Sequence, residues 1–276
     1  MVFQKINEIA ELKNISYEVR KDIICMLAEA GSGHTGGSLG LADIFTCLYF
    51  SAINHDPENP SWKYRDRLIL SIGHVAPVLY ATLANAGYFP KQELLTLRKF
   101  GSRLQGHPGR DHGLPGIELS AGSLGQGLSV AVGMAIAAKI DSENHTIYCI
   151  MGDGEIQEGS VWEAAMSAAH YKLDNLIGII DRNSLQIDGR NSDVMEIEPL
   201  TKKWRSFGWF VVECNGNDHS EIISAIELCK SQCNMPRLLI ANTIMGKGVK
   251  EIENDYHWHG KAPSKQQAAQ FIAMLE

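Results

Sequence analysis

Apolar and polar positions follow two rhythms along this chain, and the order in which they change predicts its architecture. From residue 6 to 30 apolar residues recur at helical intervals through Ile15, Val19, Ile23, Ile24 and Leu27, which predicts an amphipathic helix. A Gly-rich turn over 31–38 leads into a second helix, 39–52. Residues 54–63, carrying Pro57 and Pro60, read as a loop. Short continuous apolar runs then predict strands at 67–71, 145–151, 176–181, 208–213 and 237–243. Helical stretches fall between and around them, at 75–86, about 122–140, 158–171, 199–207, 218–232 and 264–275. Residues 101–121 are rich in Gly, Pro and His without a period, and loops of that length in compact domains are usually functional or disordered. Strands alternating with helices predict an α/β fold, a doubly wound, mostly parallel sheet with helices on both faces. With no repeat, charged tail or low-complexity linker, residues 1–276 read as a single domain.

Chemistry concentrates at two of the predicted strand ends. Gly152-Asp153-Gly154 directly follows the strand at 145–151, and Asn183 follows the strand at 176–181, with a helix between. In such a β-α-β unit both residues lie at the carboxyl edge of the sheet, where open α/β sheets bind ligands. A carboxylate and an amide oxygen there suit a hard cation such as Mg²⁺, which takes one or two protein oxygens and completes its octahedron with phosphate and water. The flanking glycines let backbone approach a phosphate closely. The pattern reads as a magnesium–diphosphate clamp.

Composition narrows the field. The chain has 276 residues, 45% hydrophobic and 21% charged, with a formal net charge of −7. That balance argues against non-specific nucleic-acid binding. No apolar run is long enough to span a membrane, and the first residues lack a signal-peptide core, so a cytoplasmic protein is expected. The cysteines Cys25, Cys47, Cys149, Cys214, Cys229 and Cys233 sit mostly in apolar runs, as reduced core thiols do.

The block Gly152-Asp153-Gly154-Glu155-Ile156-Gln157-Glu158-Gly159-Ser160-Val161-Trp162-Glu163-Ala164 resembles the transketolase family, and further motifs from the His34 turn to Trp258-His259-Gly260-Lys261 follow in that family's order. The resemblance extends over the N-terminal, diphosphate-binding portion of transketolases. It implies thiamine diphosphate as cofactor, with Mg²⁺ or another divalent cation such as Ca²⁺ or Mn²⁺. It implies Asp153, the Asn183 side chain and the Leu185 carbonyl as metal ligands. Gly154, His74, Gly122, Ser123, Leu124, Glu158, Asn183, Ile187 and His259 would form the cofactor-binding set. His34, His107 and His259 would form the substrate channel and assist proton transfer, for which a near-neutral pKa suits histidine. Glu158 corresponds to a glutamate at the family's subunit interface; by its sequence position alone it is also a carboxylate at a helix start, where the helix dipole favours it. Thr35 replaces the family's usual proline, which is expected to loosen the His34 turn. Arg182 stands where a second asparagine is common, and Ile72 and Met245 fall where some relatives carry lysine.

In transketolases the glutamate that activates the cofactor, and the phosphate-recognising residues, belong to a second, pyrimidine-binding domain that this sequence lacks. The resemblance therefore implies a separately encoded C-terminal partner, an α2β2 assembly and sugar phosphate substrates between which a two-carbon ketol unit is transferred. Competing readings are another thiamine diphosphate enzyme (1-deoxyxylulose-phosphate synthase-like or 2-oxo acid dehydrogenase α-like) and a non-catalytic cofactor-binding module. A nucleotide-binding Rossmann protein ranks last, because no G-x-G-x-x-G follows the first strand.

Overall fold

The computed structural model describes residues 3–275; residues 1, 2 and 276, at the ends of the expected 1–276 domain, lie outside them. In chain order the elements are α1 (Ile9–Ala30), α2 (Thr35–Gly40), α3 (Ala42–Cys47), β1 (Arg67–Leu70), α4 (Ala76–Asn85), α5 (Gly127–Ile140), β2 (Ile147–Gly152) and α6 (Gly159–His170). There follow β3 (Leu176–Arg182), a two-strand ribbon of β4 (Leu185–Gln186) and β5 (Gly189–Arg190), α7 (Asn191–Val194), α8 (Leu200–Ser206), β6 (Phe210–Asn215), α9 (His219–Lys230), β7 (Arg237–Asn242) and α10 (Lys265–Met274).

Five strands form one sheet in the order β1-β2-β3-β7-β6, every pairing parallel. Successive strand residues point to opposite faces, so a sheet covered on both sides needs apolar side chains at nearly every position. β2 meets that demand. Tyr148 and Ile150 enter one core with α1, α3, α4 and α9, while Ile147, Cys149 and Met151 enter the other with α5, α6 and α8. Each fully buried Ile or Leu contributes roughly 1.5–3 kcal/mol, which holds the strand between the two helical layers.

Local signals set the ends. Gly31, in the left-handed region at φ 66°, closes α1 by returning its N–H to the Leu27 carbonyl. Asp218 caps α9, and Ser264 with Gln267 forms a capping box on α10. The helix expected over 39–52 is instead α2, α3 and a π-helical turn (Leu48–Ala52), beginning four residues earlier at Thr35. A buried ion pair braces this face: Arg20 of α1 donates to both oxygens of Asp43 on α3, at 2.9 and 2.6 Å. Asn217 donates to the same carboxylate at 3.0 Å. Among the described residues, no helix is long and apolar enough to cross a membrane.

Candidate active site

All the parallel strands present their carboxyl ends to one edge, and the loops leaving β1, β2, β3 and β7 meet there. A cleft of about 220 Å³ lies among them, lined by His74 after β1, by Asp153, Gly154 and Glu158 after β2, and by Asn183, Leu185 and Ile187 after β3. Leu124 and His259 complete the part of the lining that the sequence had singled out. β2 and β3 are neighbours, with Gly152 opposite Asp181, which draws Asp153 and Asn183 together although they are far apart in sequence.

Asp153 is 2% exposed. Its Oδ1 accepts the Gly154 N–H at 2.8 Å and its Oδ2 accepts the Ser184 N–H. Thus the Gly154 N–H expected to face a diphosphate is here engaged by Asp153. Asn183 Oδ1 accepts the Leu185 N–H at 2.9 Å, and Asn183 Nδ2 donates to Asp181 Oδ2 at 3.0 Å. Gln157 donates to Gln186 and to the Met195 carbonyl, both at 2.9 Å, pinning the Asp153 loop to the β4–β5 ribbon.

Burial pushes the Asp153 carboxyl up to about 6, and burial together with the nearby Asp153 charge pushes Asp181 up to about 7. Among the described residues Asp153 forms no ion pair. Two buried carboxyls side by side, with no counter-charge bonded to either, are the environment a divalent cation relieves. Among the described residues no group of three His, Cys, Asp or Glu could hold a metal ion alone. The set at hand (one carboxylate, one amide oxygen, one backbone carbonyl) therefore fits a hard cation that draws its other oxygens from a phosphate and water.

The histidines form a packed cluster. The His34 ring lies 4.9 Å from His74, 5.7 Å from His259 and 6.4 Å from His107, and His74 lies 5.0 Å from His259. Only His74 and His259 line the cleft itself; His34 and His107 extend the row outward. Burial, aided by the neighbouring rings, lowers His34 to about 4 and His74 to about 3, and burial also lowers His107 and His259. The cluster is therefore neutral at pH 7, which departs from the near-neutral titration expected. Neutral rings donate or accept one hydrogen bond per nitrogen, and His34 Nδ1 and His259 Nδ1 are buried with no partner among the described residues.

Gly122 and Ser123 sit apart from the main cleft, in an adjoining depression with Ser71 and Gln126. Gly122 backs onto the His107 ring. Glu158 is exposed at the cleft rim and N-caps α6 without a side-chain capping bond. Thr35 does not loosen the His34 turn: its hydroxyl donates to the Lys261 carbonyl at 2.6 Å, tying that turn to the His259 segment. Arg182 pairs with Glu198 and donates to Asn242 Oδ1 at 2.9 Å. Ile72 and Met245 are buried in the cleft lining, so no cation takes their places.

Sequence reasoning passed over Glu155. This carboxylate is 2% exposed and accepts from Ser71 Oγ, from Gly125 N–H at 2.9 Å and from Gly152 N–H at 3.0 Å. It thereby locks the end of β1, the 122–125 loop and the Asp153 loop together. Asp181, which also accepts from Thr243 Oγ1, was missed too; an acid inside an otherwise apolar strand was the available signal.

Known proteins share the sequence and fold of this chain. The family described as "Transketolase, thiamine diphosphate binding domain" matches residues 13–274. One subunit of an apulose-4-phosphate transketolase from Actinobacillus succinogenes is 45% identical over 92% of this chain and 91% of its own length. A 6-deoxy-6-sulfo-D-fructose transketolase subunit from a Clostridium species is 42% identical over 96% of both chains. The crystal structure of transketolase from Campylobacter jejuni superposes with a TM-score of 0.90 at 36% identity, over 96% of this chain and 43% of that one. The chain thus spans about two fifths of the solved transketolase it matches.

Proposed function

The chain belongs to the transketolase thiamine diphosphate-binding domain family, and from that premise we propose that it is the diphosphate-side subunit of a two-chain transketolase. The reaction is transfer of a two-carbon ketol unit from a ketose to an aldose, both bearing an anionic end group. The observation that carries this reading is the convergence of Asp153 and Asn183 on one cleft walled by His74 and His259.

Asp153, Asn183 and the Leu185 carbonyl would hold Mg²⁺, or Ca²⁺ or Mn²⁺ in its place, and His74, Gly122, Ser123, Leu124, Gly154, Ile187 and His259 would bind thiamine diphosphate. When bound, that cofactor supplies the carbon nucleophile and electron sink that ketol transfer requires. The residues of this chain orient and exclude water. Neutral His34, His107 and His259 hydrogen-bond substrate hydroxyls and move protons at those oxygens. Ile187, 61% exposed at the rim, and Leu124 offer apolar walls that a partner would cover.

The pyrimidine side of the pocket and its catalytic glutamate belong to a separately encoded C-terminal subunit. The similar relatives that are themselves subunits of this length favour this. Two copies of each chain make the assembly. α5 is apolar nearly all round, yet leaves Gly133, Ala137 and Ile140 exposed, as a helix awaiting a second copy does. The whole chain acts as one cofactor-binding domain in the cytoplasm.

The test mixes the chain with ketose donor, aldose acceptor, thiamine diphosphate and Mg²⁺, with and without the partner. Ketol transfer that needs both chains is expected. Full turnover by this chain alone would refute the split arrangement, and no transfer by the complex would refute the reaction.

A further inference from the structure

Among the described residues no lysine or arginine lines the cleft, yet a guanidinium stands beside the histidine row. Arg98 lies across two glycines, each next to a channel histidine. A Cβ added at Gly106 would fall 2.6 Å from Arg98 Cζ, and one at Gly33 would fall 3.7 Å from Arg98 Nε. At Gly106, beside His107, only glycine leaves room for the guanidinium; at Gly33, beside His34, the guanidinium rests at ordinary contact distance, and it is Leu27, 2.5 Å from such a Cβ, that requires glycine.

The backbone is built to hold this side chain. Arg98 adopts φ 61°, a left-handed conformation that non-glycine residues keep only where surrounding structure imposes it. Its N–H donates to the Leu104 carbonyl at 2.9 Å, and Leu97 and Leu104 are buried beneath it. The guanidinium itself is nearly unspent. Its hydrogen bond within the chain is a long one to the Gly106 carbonyl at 3.5 Å, and it forms no ion pair among the described residues. Nearby cations are engaged: Lys99 with Glu29, Arg103 with Glu93, and Lys261 over the Trp258 ring.

Direction follows from the same neighbours. Of the four histidines only His74 and His259 line the cleft, whereas Arg98 packs over Gly33 and Gly106, the chain neighbours of His34 and His107. The order from the metal loop outward is therefore His74 and His259, then His34 and His107, then Arg98. A sugar lying along the histidines with its reacting carbon inward would bring its far end to the guanidinium. Arginine matches a tetrahedral oxyanion with paired donors and never loses its charge.

We propose that Arg98 is a specificity residue of this chain, binding the terminal phosphate or sulfonate of the sugar substrate at the outer end of the histidine channel. This rests on the ketol-transfer reading and adds to it: part of the anion recognition, expected to lie wholly in the partner, is contributed here.

The test compares Arg98→Gln and Arg98→Lys with the unmodified chain in the assembled complex. kcat/KM is measured for a phosphorylated, a sulfonated and an uncharged aldose acceptor. Losing one charge-assisted contact should lower the preference for a charged over an uncharged acceptor about tenfold or more in Arg98→Gln, with part retained in Arg98→Lys. Loss for the phosphate, the sulfonate or both identifies which anion the site serves. A preference unchanged within about twofold for both anions overturns the proposal. A second readout does not need turnover: inorganic phosphate is titrated into the chain while the histidine ring resonances are followed by NMR. Shifts at His34 and His107 that vanish in Arg98→Gln uphold the site even if the complex transfers no ketol unit. Absence of such shifts in the unmodified chain overturns it.

Discussion

Glu155→Gln isolates what holds the candidate site in shape. The substitution keeps the size of the side chain and removes its charge. One oxygen can stay where it accepts from Gly125 N–H and Ser71 Oγ, but the new amide nitrogen then faces the Gly152 N–H, donor against donor. Leaving a buried N–H unmet costs about 1–3 kcal/mol. The two surviving bonds lose their charge assistance, about half of each. Against this, burial already disfavours the charged carboxylate, raising its pKa, so neutralising it returns part of the loss. The balance is a destabilisation of about 2 kcal/mol. A chain of 276 residues unfolds with an entropy near 0.6 kcal/mol per kelvin, so the melting temperature should fall by about 3–5 °C. Differential scanning calorimetry reads the shift. Because Glu155 joins the 122–125 loop to the Asp153 loop, thiamine diphosphate affinity in Mg²⁺, followed by tryptophan fluorescence, should weaken in parallel. A variant melting within 1 °C of the parent, with unchanged cofactor affinity, would refute the reasoning (roughly half a kcal/mol is the smallest effect it allows).

Other consequences bear on the frame around the site. Asp43→Ala strands the buried Arg20 guanidinium and should cost about 3–5 kcal/mol in urea unfolding, whereas Arg20→Met with Asp43→Leu should recover most of it. A single-variant cost below about 1 kcal/mol would contradict that account. By ring NMR, His34 and His74 should titrate near pH 4 and 3, far below the ordinary histidine midpoint. Between pH 6.5 and those values the unfolded chain takes up protons that the folded one refuses, so this contribution to stability declines as pH falls and is flat above 6.5. Ordinary midpoints at both rings would remove the neutral-channel argument.

Much of this architecture was legible because both faces of the sheet are buried. The run at 145–151 became β2 (Ile147–Gly152) and that at 176–181 became β3 (Leu176–Arg182), since parallel strands between two helical layers must be continuously apolar. Asp153 and Asn183 came together for the same reason: loops leaving neighbouring parallel strands share one edge. The β4–β5 ribbon escaped notice because strands of two residues have no period to read. The break at Leu41 follows Gly40, a poor helix former, while the π turn after Cys47 follows no local breaker and takes its shape from packing against α1, α4 and α9. The role of Glu155 was not readable in sequence, since only the folded chain brings Ser71 and Gly125 to it. The depressed histidines were likewise beyond sequence, because burial and ring-to-ring repulsion are tertiary facts. Thr35 illustrates the converse, where a departure expected to loosen a turn gained a bond that secures it.

The most direct measurement is anomalous diffraction from crystals of the chain with its partner, grown with thiamine diphosphate and Mn²⁺. The account predicts one strong manganese peak at the carboxyl edge of β2 and β3, about 2.0–2.2 Å from an Asp153 oxygen, the Asn183 amide oxygen and the Leu185 carbonyl, with diphosphate oxygens on its open side. Cofactor bound with no manganese between Asp153 and Asn183, or manganese held by other residues, would contradict it.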